Sequence, residues 1–151
     1  MPKWVFNHTE GAFSFEDKHI IAQGMAKIYS AVGLPAFYAN TQFFELPKDN
    51  LFTGGEIPDH AVTTLAIYHL ARTFQSDEIQ DYFFKAVDDL IRPIMKKNNT
   101  RWEIGIYEAP LEFWRMNGLR PPKQGSEMEK KWFDANTITD EEELLEKQER
   151  P

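Results

Sequence analysis

The feature that most restricts the fold of this chain is a strand–helix–strand order that occurs twice. Trp4 to His8 (WVFNH) is short, aromatic and β-branched, which suits a strand. Ser14 offers an N-cap side chain, and Glu16 and Asp17 favour the positive end of the helix that follows. Ile21, Met25, Ile28 and Val32 then recur at helical spacing, and Gly33 with Pro35 ends the run. Tyr38 to Leu46 (YANTQFFEL) reads as the second strand, and Pro47 to His60 as a long turn-rich connection. Beyond it, Ala61 to Leu70 (AVTTLAIYHL) is the strongest strand pattern in the chain. Ser76 caps a second helix, with Asp77 and Glu78 in its first turn. Its apolar stripe is Ile79, Phe83, Val87, Leu90 and Ile94, and Pro93 is expected to kink or shorten it. Trp102 to Tyr107 (WEIGIY) reads as the fourth strand.

This order predicts an α/β (α+β) sandwich: two consecutive β-α-β units forming a four-stranded sheet with two helices on one face. The opposite face of such a sheet needs a partner, so an oligomer is expected. A length of 151 residues suits one domain, read here as residues 2–136, with 137–151 as an acidic C-terminal tail of helical pattern. Leu111 to Gly118 (LEFWRMNG) is read as a short helix stopped by Pro121 and Pro122. Thr139-Asp140-Glu141-Glu142 is read as a capping box before LLEKQ, on a solvated tail.

Charge and composition then remove function classes. The 24 acids outnumber 17 bases, and −4 of the net −7 sits in Thr139 to Pro151. No basic stripe remains to track a nucleic acid or an acidic membrane. Cysteine is absent, which excludes disulfides, thiolate zinc sites and cysteine nucleophiles. No apolar run approaches membrane length and the start has no signal pattern, so a cytoplasmic protein is expected. Phosphate-loop, dinucleotide-loop, serine-hydrolase and zinc-protease motifs are missing, and His8, His19, His60 and His69 lack metal-ligand spacing. Neither a cofactor nor a metal is expected. Asp59-His60 reads as turn chemistry, and His69 as a satisfied polar residue at a strand end. Trp4, Phe37, Tyr38 and Trp114 are candidates to line an aryl pocket, with ordinary packing as the simpler use.

Pro2 is the unusual residue. Removal of Met1 before so small a residue would leave a secondary amine at the chain start. An α-amino group titrates near about 8, and burial or a nearby guanidinium lowers that value toward a base poised at neutral pH.

Four stretches, in order, resemble the tautomerase superfamily in its cis-3-chloroacrylic acid dehalogenase branch, of the oxalocrotonate tautomerase type. They are the Pro2 start with Lys18-His19; ANTQFFELPKDNLFTGG, at Asn50, Phe52, Gly54 and Gly55; HLARTFQS after the third strand; and EAP…NG…WFDAN between Glu108 and Asn136. The resemblance implies two β-α-β units assembled as a homotrimer, Pro2 as the catalytic acid and base, and Arg72 as a guanidinium that holds a substrate carboxylate, a geometry suited to bidentate capture. The branch's second arginine falls on Gln75, its helix histidine on Tyr29, its water-activating glutamate on Met116 and its last-strand tyrosine on Gly105. Tyr107 lies two residues on, on the same strand face. Arg72, Tyr29, Gln75 and Tyr107 are therefore the substrate-binding candidates. The implied activity is cofactor-independent proton transfer on a small enol or 2-oxo carboxylate. The alternatives are hydration or dehalogenation of a 3-haloacrylate, with Glu112 replacing the missing water activator, and a non-catalytic binding module with a decayed pocket.

Overall fold

Alternation along the first strand sets the layers. In the computed structural model, which describes residues 1–70 and 72–149, β1 (Lys3–Thr9) buries Trp4, Phe6 and His8 on one face and turns Lys3, Val5 and Asn7 to the other. It pairs in parallel with β2 (Asn40–Leu46) and antiparallel with β3 (Ala61–His69), which pairs in parallel with β4 (Thr100–Glu108). The sheet order is β2-β1-β3-β4. Each parallel pair is joined through a helix, α1 (Phe15–Ser30) in the first unit and α2 (Asp77–Lys97) in the second. The expected pair of β-α-β units is therefore present, joined along the antiparallel seam of β1 and β3.

Both helices cover the face that carries Trp4 and Phe6. Helix α1 contributes Ile21, Met25 and Tyr29, and α2 contributes Phe83, Val87, Ile91, Ile94 and Met95. Where the helices meet, a Cβ on Gly24 would stand 2.3 Å from Leu90 Cδ1, so the missing side chain is what lets them close. Ser14 and Asp17 cap α1 reciprocally. The Asp17 carboxylate also accepts from Lys97 Nζ at 2.6 Å and Asn98 Nδ2 at 2.9 Å, tying the start of α1 to the end of α2. Burial alone would raise this carboxyl's pKa; the bonds from Lys97, Ser14 and Asn98 outweigh it and hold the group well below the usual carboxylate range.

Several boundaries differ from expectation for local reasons. The second strand begins at Asn40, because a 3-10 turn, Ala36–Tyr38, buries Tyr38 first. Helix α2 runs through Pro93 to Lys97; the proline lies on the exposed side, where water can satisfy the carbonyl it leaves without a donor. Val32 lies past the end of α1 and Ile79 is exposed at the start of α2, so both stripes overshoot the buried faces. Leu111 to Gly118 is not a helix. A 3-10 turn, Leu111–Phe113, is followed by a tight hairpin in which Met116 and Leu119 pair across Asn117 and Gly118, both at positive φ. Asn-Gly is the pair that this turn favours.

Two further helices complete the described residues: α3 (Glu127–Ala135), which replaces the short helix expected at Leu111 to Gly118, and α4 (Glu141–Glu149) in the tail, where a helical pattern was expected. Ser126 caps α3, whose Trp132 is fully buried against Phe37 and Tyr38. Leu144 and Leu145 of α4 pack against the core. Thr139, expected to cap it, donates its hydroxyl to the Asp140 carboxylate instead. Arg150 and Pro151 of the acidic tail, and Ala71 of HLARTFQS, lie outside the described residues. Among those described, no helix is long and apolar enough to cross a membrane.

Asp17→Ala is expected to cost about 2 kcal/mol through the lost cap and buried bonds. For a chain of this length that is roughly a 4–8 °C lower midpoint in a thermal melt. Because the folded pKa is depressed, the stabilisation is complete above the unfolded value of 3.8 and is lost as pH falls below it, so the variant's stability should fall less steeply in acid.

Candidate active site

The last turns of α1, the end of β3, the segment after it and the first turns of α2 converge on one cavity of about 480 Å³. Its wall includes Tyr29, His69, Arg72, Phe74, Gln75 and Phe83. Three of the sequence-derived candidates (Tyr29, Arg72 and Gln75) are thus brought together, and His69 joins them.

Tyr29 is buried at the centre of a polar line. Its hydroxyl accepts from Trp4 Nε1 at 3.3 Å and lies 3.2 Å from His69 Nδ1. Burial pushes the phenol above its usual range, so it keeps its proton. The His69 ring lies flat against Phe74, with centroids 4.5 Å apart and planes 6° from parallel, and the rings of Phe83 and Tyr29 also pack against it. Burial lowers the imidazole to about 4, against a raising influence from Glu108, while Arg72 and the chain's amino terminus lower it further. It is therefore neutral at pH 7.

Arg72 is not an exposed surface arginine. Its Nη2 donates to Glu129 Oε1 at 3.1 Å, with both side chains largely buried. The other Glu129 oxygen accepts from Gly125 N at 2.7 Å, and Ser126 caps the same turn. Gln75 is exposed, and its amide donates to the Thr73 carbonyl and hydroxyl.

Pro2 is buried one residue before β1, and its carbonyl accepts from Asn40 N at 3.1 Å. Extending the Lys3–Tyr68 pairing by one residue sets Pro2 across from His69, beside the cavity rather than on its wall. With Met1 attached, the Pro2 nitrogen is an amide and has no basicity. The Met1 amine itself is lowered to about 4 by burial, so the amino terminus stands in a strongly desolvating position.

The remaining candidates lie elsewhere. Tyr107 is on the face of the sheet opposite the helices, stacked 5.5 Å from Tyr68 and largely exposed. Within one chain it does not join the cavity. Gly105 shares that face, Met116 is in the hairpin and Glu112 is exposed in the 3-10 turn. Trp4, Tyr38 and Trp114 are core, and Phe37 packs against them; the cavity takes its aromatic character from Tyr29, Phe74, Tyr82 and Phe83 instead. A larger hollow of about 570 Å³, lined by Asp59, His60, Lys96 and Arg101 among others, lies toward the opposite end of the sheet and holds none of the sequence-derived candidates. Sequence reading missed Glu129 and its helix. Ser126-x-x-Glu129 carries the spacing of a capping box, so the helix start was legible, but its pairing with Arg72 was not.

Comparison with known proteins assigns this architecture to the tautomerase fold. The family described as "Putative oxalocrotonate tautomerase enzyme" matches residues 1–137, and the chain belongs to it. A solved protein described as a probable enzyme, from the thermophilic fungus Aspergillus fumigatus, is 40% identical with a TM-score of 0.86, covering 92% of this chain and 96% of its own. Native RhCC from Rhodococcus jostii RHA1 is 30% identical with a TM-score of 0.85, covering 91% and 98%. N1, a member of the cis-3-chloroacrylic acid dehalogenase family, is 16% identical with a TM-score of 0.67 over 95% and 99%, a likeness of fold alone. No curated protein matches the chain significantly.

Glu129→Leu leaves a buried guanidinium without its carboxylate and is expected to cost about 3 kcal/mol. Arg72→Met combined with Glu129→Leu should cost less than the sum of the two single changes, as read by urea unfolding.

Proposed function

We propose that the chain is a cofactor-independent tautomerase that moves a proton on a small enol or 2-oxo carboxylate, with the Pro2 amine as base and then acid once Met1 is removed. The observation that carries this reading is the burial of the amino terminus beside a cavity. Desolvation there lowers an amine's pKa, so a Pro2 amine is held neutral at pH 7 and can accept a proton. His69, neutral and held to about 4, is a poor base at that pH.

In the proposed step, the amine takes the proton from the enol oxygen. The carbonyl forms as the carbon–carbon double bond gives its electron pair to a new C–H bond, whose proton comes from the ammonium, and the amine is regenerated. Arg72 is the candidate for the substrate carboxylate, working from its fixed position on Glu129. Tyr29 and Gln75 are candidate donors around it. Family membership supports an enzyme of tautomerase type. Hydration is less well supported, since neither Met116 nor the exposed Glu112 supplies a water-activating group in the cavity.

The open sheet face supports assembly as a homotrimer. Val5, Ala66 and Tyr68 are half-buried there, and Phe44 and Tyr107 are exposed. A fused 4-OT asymmetric trimer has the same fold, at 20% identity and a TM-score of 0.59 over 78% of this chain and 94% of that one. In such an assembly Tyr107 meets a neighbouring subunit.

The test follows ketonisation of phenylenolpyruvate and 2-hydroxymuconate by ultraviolet absorbance, on protein whose loss of Met1 is verified by mass. Pro2→Ala is expected to lower kcat by about 100-fold, and Arg72→Ala to raise KM by about 10-fold. Activity should rise with pH through the amine's lowered pKa and be complete by pH 7, and protein retaining Met1 should be inert. Full activity in Pro2→Ala overturns the reading. Ala66→Glu, at the centre of the open face, should convert trimer to monomer in light scattering after size exclusion; a monomeric parent protein counts against the assembly.

A further inference from the structure

We propose that His69 is a second catalytic residue of this cavity, acting as a neutral hydrogen-bond donor through Nε2 to the substrate oxygen that becomes the carbonyl. The inference rests on the tautomerase reading for its reaction, but its chemistry follows from three buried side chains.

An indole nitrogen only donates. The bond from Trp4 Nε1 therefore makes the Tyr29 oxygen an acceptor and leaves the Tyr29 hydrogen for another partner. Among the described residues the Tyr29 hydroxyl has no partner besides Trp4 and His69, so its hydrogen goes to His69 Nδ1 at 3.2 Å, which accepts. A neutral imidazole that accepts at Nδ1 carries its hydrogen on Nε2. Trp4, Tyr29 and His69 are each 5% exposed or less, so water does not compete for these bonds. Phe74, flat against the ring, fixes its plane. Nε2 has no hydrogen bond to a described residue, and His69 is part of the cavity wall.

A fixed N–H donor in an apolar pocket is suited to stabilise oxygen charge that develops during reaction. One step beyond the Lys3–Tyr68 pair, Pro2 stands across from His69, just before β1. The two divide the work. The amine carries the proton from the enol oxygen to carbon, and His69 gives up no proton but strengthens its bond while the oxygen is an enolate. The polar line sets the tautomer, which makes Tyr29 a positioning residue for His69.

The experiment combines ring nitrogen NMR with kinetics on protein lacking Met1. The ring of His69 is expected as the Nε2–H tautomer between pH 5.5 and 8, an interval above its pKa of about 4. Saturating phenylpyruvate should shift the Nε2–H resonance. Tyr29→Phe should lose the single tautomer, with kcat about 10-fold lower. His69→Leu should lower kcat by about 100-fold with KM nearly unchanged, and His69→Gln, which restores an N–H donor, should recover part of the loss. An Nδ1–H ring, an Nε2–H resonance unmoved by phenylpyruvate, or full kcat in folded His69→Leu each overturns the proposal. If His69→Leu does not fold, the tautomer and the phenylpyruvate shift decide. Full activity in Pro2→Ala overturns the tautomerase reading by itself, and the two ring measurements still decide the role of His69.

Discussion

The four-stranded sheet and the cavity beside it depend on the antiparallel pairing of β1 with β3. Each β-α-β unit alone is a two-stranded sheet with one helix and an unpaired edge on each side, too little to be stable in water. Joining the units along that seam makes both inner strands central and lays α1 and α2 side by side on one face. The same register sets the start of β1 against the end of β3, so the buried amino terminus and His69 become neighbours although 67 positions separate Pro2 from His69. The close fit of Gly24 against Leu90 and the Asp17 bonds to Lys97 and Asn98 then hold the helices in the arrangement the seam allows.

The site uses burial in two opposite ways. Along Trp4, Tyr29 and His69, loss of water keeps titratable groups in their neutral forms, and each polar hydrogen there is assigned by the donor and acceptor rules of its neighbour. At Arg72, a charge that cannot be neutralised is instead matched by Glu129, which the first turn of α3 fixes in turn. A neutral line and a compensated charge share one cavity wall.

Much of the fold was legible in the chain. Short aromatic and β-branched runs identified the strands, apolar positions three and four apart identified α1 and α2, and Ser14 and Ser76 marked their starts, since these signals are local. Leu111 to Gly118 was misread because a run of good helix formers outweighed Asn117-Gly118, which signals a hairpin turn. Helix α3 was passed over because its strongest contact, Trp132 on Phe37 and Tyr38, joins residues nearly a hundred positions apart. In the site, Arg72, Tyr29 and Gln75 were reached through resemblance. His69 looked like a satisfied polar residue, which it is at Nδ1, while Nε2, unbonded among the described residues, depends on contacts no local pattern encodes.

The sequence by itself determined the two β-α-β units, the absence of thiol chemistry, and a proline at the second position, because each depends on residue type and short-range spacing. Only the tertiary structure decided which of those residues meet. It turned Tyr107 to the far face of the sheet, since side chains on one strand alternate sides. It tied Arg72 to Glu129 and fixed the tautomer of His69 through Tyr29, since burial and hydrogen-bond partners are set by distant segments packed into contact.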